Sequence, residues 1–251
     1  MSSKENSVKA CAFALNQIVA WHASSSLILF HTSCFTTRPY AVRQNSGFTA
    51  RQRHFRSKSL PNNGDSVRRF ERCISYASIH RDDLLKVCKE IKVADMLLPT
   101  YERNIIDLID QVAPENPTVS PSTSDLLRGT WRLIYTTEGP LAGLMAGGLF
   151  GMPVKNVMQT VRGGMNTEGG TIENIVNFAN SAELVVAVSF SVESSDTLKF
   201  IFKSTKFTNG WFSLRIPFAL GRGTLTTVYL DETCRVQKDS TGWISVFKRV
   251  P

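Results

Sequence analysis

The sequence predicts a mainly β fold, an antiparallel β-barrel of about eight or nine strands preceded by two α-helices. Three observations carry that reading. Apolar residues recur with a period of two from Gly129 almost to the C-terminus. The segments that do so are joined by hairpin-length connections, among them Asn180-Ser181, Asn209-Gly210 and Ser240–Gly242. No long helical pattern interrupts them, which argues against a fold of alternating strands and helices. Closure into a barrel removes the unpaired edges of the sheet. A β-sandwich satisfies the same periodicity and stays open as the alternative.

The chain has 251 residues and a formal net charge of +8. Residues 1–60 hold eight Lys or Arg and one acid, Glu5, whereas the rest of the chain is nearly neutral. The basic excess therefore belongs to the leader, and a nucleic-acid-binding body is not expected. Residues 1–65 are rich in Ser, Thr and Arg and cannot build a core of their own. They read as an organellar transit peptide. A disordered tail, or a signal-peptide core at Ala12–Ala23 ahead of the basic stretch, remains an alternative. The mean hydropathy of −0.09 excludes a polytopic helical membrane protein.

Helical spacing follows the break at 61–66. Leu84, Leu85, Val87, Cys88, Ile91 and Ala94 fall on one side of a helix that begins near Asp82. Pro99 suits the first turn of a second helix. Tyr101, Ile105, Leu108 and Ile109 give that helix its buried stripe, and Pro114 and Pro117 end it. Residues 66–113 thus form a helical segment expected to dock on the barrel, across one open end, with an amphipathic helix pair that touches a membrane as the alternative, and 114–125 a linker. Residues 126–251 form the barrel.

Its strands are read in order. Trp131, Leu133 and Tyr135 share one face of the first. Segments 172–178, 183–192, 197–207 and 211–216 come next, then 224–230, 233–237 and 243–249. Val188, Phe190, Phe200 and Phe202 fall on faces that would line an interior. Between the first two strands lies GPLAGLMAGGLFGMP at 139–153, uncharged and glycine-rich. It lacks the lysine of a phosphate-binding loop. Leu141, Leu144, Leu149 and Phe150 need an apolar surface, so the segment reads as a flexible flap over the barrel mouth or against a membrane, or as a buried loop.

Catalytic and metal chemistry find little support. His80 stands alone beyond the leader, the five cysteines form no CxxC pair, and the acids are scattered. No enzyme activity, cofactor or metal site is expected. The ring of Trp131 suits the closed end of a barrel, with Arg132 or Arg249 stacked over it. Asp231 and Arg235 suggest a pair inside the barrel or at its rim.

LLRGTWRLIYTTEG at 126–139 resembles the opening motif of the plastid lipid-associated proteins, or fibrillins. NPTVSP at 116–121, IIDLIDQVAPENP at 105–117 and TTVYLDETCRVQKDSTGWISVFKRV at 226–250 also fit that family. Gly129, Trp131 and Tyr135 match its first motif. Tyr229, Leu230, Asp231, Glu232, Arg235, Gly242 and Arg249 match its second. The similarity covers about 84–250. Cys234, Gln237 and the glycine-rich 139–153 depart from it. The resemblance implies a lipocalin-like barrel, a plastid location at thylakoids or plastoglobules, and non-catalytic binding or coating of lipids and isoprenoids. It also implies, as the alternative, an adaptor that holds an isoprenoid-synthesising enzyme at the membrane. By analogy with lipocalins, Arg249 is the arginine that closes the barrel over Trp131.

Overall fold

The structure, a computed structural model, describes residues 79–149, 151–163, 169–216 and 221–251. The leader 1–65 and Phe150 lie outside the described residues. A helix over 79–90 (α1) is followed by α2, Pro99–Val112, which has its proline in the first turn. Nine strands follow: β1 (Gly129–Thr136), β2 (Val154–Gly163), β3 (Gly170–Phe178), β4 (Glu183–Val192), β5 (Thr197–Asn209), β6 (Phe212–Ile216), β7 (Arg222–Leu230), β8 (Cys234–Asp239) and β9 (Ile244–Arg249). Between β1 and β2 runs a short helix, α3, Gly139–Gly147.

Every pairing is antiparallel, and the sheet order β4-β3-β2-β1-β9-β8-β7-β5 closes through β4–β5. The result is an eight-stranded barrel. β5 is long enough to serve two neighbours. Its first half, 197–201, pairs with β7, and its second half, 205–209, pairs with β6. β6 therefore forms a hairpin arm off the barrel rather than a ninth stave.

β2 has no counterpart in the strands read from the sequence. Its inward face is Val157, Gln159 and Val161, with Gln159 only 3% exposed. A buried amide in the middle of that face erases the alternation that marks a strand. A second difference lies at β1. A register shift between Leu133 and Tyr135 in the β1–β9 ladder turns Tyr135 outward, so it does not share a face with Trp131 and Leu133. A similar shift between Thr227 and Tyr229 turns Tyr229 outward and leaves Leu230 inside.

The outward face so created is where the helices sit. Leu84 and Cys88 of α1, Ile91 just beyond it, and Ile105, Ile109 and Val112 of α2 pack on Tyr135, Tyr229, Cys234, Val236 and Val246. The helices thus cover the wall of β1, β9, β8 and β7, not an open end. Tyr135 Oη donates to the Met96 carbonyl at 3.2 Å and pins the turn between them. Tyr101 is exposed and contributes nothing to the stripe, and Ala94 is likewise exposed. Cys88 and Cys234 are free thiols buried in this seam. Burial pushes the Cys88 thiol up to about 12.

Residues 139–149 are not a flap of loop. α3 is helical, Ala142 and Leu144 are buried within it, and Leu149 beyond it is 5% exposed. Leu141 and Leu144 face the barrel interior, while Ala142 packs with the α1–α2 layer. The helix has no polar side chain and so no single apolar face, and Leu141, Ala142, Leu144 and Met145 each find one of two cores.

Candidate functional site

One end of the barrel is closed by side chains. Trp131 is fully buried, and its Nε1 donates to the Leu127 carbonyl at 3.0 Å. Leu127 belongs to a 3-10 turn, Asp125–Leu127, that lies under the ring. The guanidinium of Arg249 stacks over the same ring at 4.1 Å from its centre. It donates to the carbonyls of Arg128 at 2.8 Å and Glu232 at 2.7 Å, and to that of Leu126. Gly129 makes this approach fit. Its φ is +115°, and a Cβ there would stand 2.7 Å from Arg249 Nη1. Residues 113–127 are tied along this closed end. Thr118 Oγ1 donates to the Leu230 carbonyl at 2.6 Å, Leu230 N donates to Asn116 Oδ1 at 3.1 Å, and Ser122 N donates to the Ser195 carbonyl at 2.9 Å.

A second arginine lies deeper. Arg235 is 1% exposed, with its guanidinium 4.5 Å from the Phe247 ring centre and 4.9 Å from that of Trp131. It donates through Nη2 to Gln159 Oε1, and its Nε has no partner. Burial, then the charge of Arg249, pulls its pKa down to about 9, which still leaves it a cation at neutral pH. Among the described residues no carboxylate meets it. Asp231, expected as its partner, lies instead in the turn between β7 and β8. There it accepts from Arg81 of α1 at 2.8 Å, Tyr229 Oη at 2.9 Å, and the amides of Thr233 at 2.6 Å and Cys234 at 2.7 Å. The reason is steric. Asp231 sits beyond the last residue of β7, and the turn that reverses the chain uses the carboxylate to satisfy its own amides.

Above the closed floor is a cavity of about 150 Å³. Ile172, Val176, Leu184, Val188, Phe200 and Phe202 give it an apolar wall, Gln159 and Asn174 a polar stripe, and Leu141 and Leu144 of α3 its cover. Asp239, Trp243 and Ser245 also border it. Of the residues expected to contact a ligand, Leu141, Leu144, Val188, Phe200 and Phe202 come together here. Phe190 and Leu149 belong to the surrounding core and do not line it. Gln159 and Asn174 were missed. The signal available for Asn174 was an amide between Ile172 and Val176 in an alternating strand, which reads as an outward position until the neighbouring register is known.

Among the described residues, no group of three His, Cys, Asp or Glu side chains is placed to hold a metal ion. No helix of the described residues is long and apolar enough to cross a membrane.

A family model described as PAP_fibrillin matches residues 99–248. A curated relative from Arabidopsis thaliana, "Probable plastid-lipid-associated protein 11, chloroplastic", is 29% identical over 133 residues. That alignment covers 53% of this chain and 60% of the relative. No solved structure matches the chain.

Proposed function

The chain belongs to the PAP_fibrillin family, and on that premise we propose that it is a non-catalytic plastid protein whose barrel takes one end of a lipid or isoprenoid molecule. The observation that carries this is the cavity, closed below by Trp131 and lined mainly by aliphatic and phenyl side chains. Such a surface gains about 0.8 kcal/mol for each methylene it removes from water. Its size limits what enters. A 150 Å³ apolar cavity holds roughly one benzene ring, so a long acyl or prenyl tail remains outside, at the mouth.

The mouth suits a lipid surface. The C-terminal end of β1 leads into α3, and the antiparallel ladders place the C-terminal end of β5 at that same end of the barrel. There the β5–β6 hairpin carries Trp211, 96% exposed at its tip, with Lys206 and Arg215 paired across it. An exposed indole at the tip of an arm that carries two cations further down favours the interface of an anionic bilayer or plastoglobule. Residues 1–65, read as a transit peptide, would deliver the protein to plastids.

Native mass spectrometry of the full chain with extraction of bound lipid tests the reading, and protein without copurified lipid sinks it. Flotation on vesicles containing anionic lipid tests the surface. Trp211→Ser should lower binding several-fold without changing the melting temperature. A fluorescent fusion that stays in the cytosol removes the plastid assignment. A second reading is the enzyme adaptor, favoured by Val93, Leu97 and Leu98 on the segment between α1 and α2 and Tyr101 in the first turn of α2, all of them exposed. A stoichiometric enzyme partner lost on Leu97→Asp/Leu98→Asp substitution would support it.

A further inference from the structure

Resting on the reading of the barrel as a lipid-receiving cavity, we propose that it selects ligands carrying a hydrogen-bond acceptor on an apolar body, read by the side-chain amide of Asn174. The acceptor is a ketone, quinone or ester oxygen. A hydrocarbon end of the same size is the ligand it discriminates against.

The argument is one of enforced direction. Arg235 can only donate. The Gln159 amide must therefore turn its oxygen toward the guanidinium, as it does. Its Nε2 then points the other way and donates to Asn174 Oδ1 at 2.7 Å. Asn174 has thereby committed its oxygen. Its Nδ2 keeps two N–H groups for which the described residues supply no acceptor, and Asn174 lines the cavity. Neither amide can be flipped without setting donor against donor, so the orientation is a chemical necessity.

The root of the relay makes its end stronger. Arg235 is buried with no carboxylate partner among the described residues, so its charge polarises the two amides in series and makes the Asn174 N–H groups better donors. The setting makes them selective. In the barrel register Asn174 stands between Gln159 on β2 and Val186 on β4, and Ile172 and Val176 flank it along β3. A donor in so apolar a wall is costly to leave unmet once a dry hydrocarbon displaces water from it. An oxygen acceptor removes that cost, whereas an alkyl end does not. A site built to hydrogen-bond one group rejects an analogue that lacks it.

Acetophenone and ethylbenzene test this on the full chain. The two probes are similar in size and differ in a carbonyl oxygen. By isothermal titration calorimetry, acetophenone should bind the wild type about tenfold more tightly, the step expected of one good hydrogen bond in a buried site. Asn174→Leu should abolish the preference while ethylbenzene affinity changes less than threefold. Gln159→Glu provides a second route that keeps the cavity and neutralises Arg235. Its carboxylate accepts from both Arg235 and Asn174, turns the Asn174 oxygen toward the cavity, and should bring the ratio to about one. Equal affinities in the wild type, or a ratio unchanged by Gln159→Glu, overturn the acceptor preference and leave the cavity reading intact. Binding of neither probe overturns the cavity reading itself, and the preference with it.

Discussion

The Arg249 guanidinium lies 4.1 Å from the centre of the Trp131 ring, and the two residues seal the floor of the barrel between them. Each makes the other's place. Trp131 gives Arg249 a flat face, and Arg249 joins the carbonyls of Arg128 and Glu232, from the approach to β1 and the β7–β8 turn. Trp131→Ala should cost about 3–5 kcal/mol of stability, the range for a buried large aromatic. Arg249→Lys should also destabilise, because one ammonium cannot both stack and fork to those carbonyls. Urea unfolding measures both. Unchanged stability with lost ligand binding would make Trp131 a ligand contact instead of a floor.

The Arg81–Asp231 pair at 2.8 Å ties α1 to the β7–β8 turn. Burial alone would raise the Asp231 carboxyl. The amide of Thr233, Arg81, the amide of Cys234 and Tyr229 outweigh it and hold the carboxyl below its usual range. A depressed folded pKa adds stability that is complete above the unfolded value of about 3.9 and is lost as pH falls through the folded value. Asp231→Asn should therefore cost about 2–3 kcal/mol at pH 7. The difference from wild type should shrink steadily below about pH 4. Urea midpoints at pH 7, 5, 4 and 3 check the sign.

Much of this architecture was legible because strand and helix periods survive in the exposed and buried residues themselves. The alternation Leu184, Val186, Val188, Phe190 fixed β4, which runs Glu183–Val192. Pro99 and the Ile105–Ile109 spacing placed α2. What escaped depended on partners distant in sequence. Tyr135 and Tyr229 leave the interior through bulges, and a bulge is set by the neighbouring strand, not by the bulged one. Gln159 is buried because Arg235, 76 positions away, needs an acceptor. Asp231, expected to pair with Arg235, instead meets a cation 150 positions away on α1. The resemblance to fibrillins located the motif residues but carried no information on which of them face inward.

Leu144 and Leu149 are 6% and 5% exposed. Placing Asp at both forces two carboxylates into apolar surroundings, at several kcal/mol each. The double substitution should unfold the protein or lower its melting temperature steeply. A folded double variant that merely fails to float on vesicles would restore the reading of this segment as a membrane-contacting flap.

α3 is the element that covers the cavity, and it is the least self-sufficient helix of the fold. It has nine residues, fewer than an isolated helix needs in water, and three of them are glycine. Gly143 sits in its middle, with no atom within 4 Å of where a Cβ would stand. Its glycine is therefore not required by packing, and it weakens the cover by about 1 kcal/mol relative to alanine. Such a helix opens locally at lower cost than the barrel around it. Gly143→Ala should raise the stability of α3 by about 0.5–1 kcal/mol and slow hydrogen exchange of the Leu144 and Gly148 amides several-fold. If cavity exchange runs through this cover, release of bound acetophenone should slow by up to about fivefold, the rate equivalent of 1 kcal/mol. Slower amide exchange with unchanged ligand release would place the route of entry elsewhere on the rim.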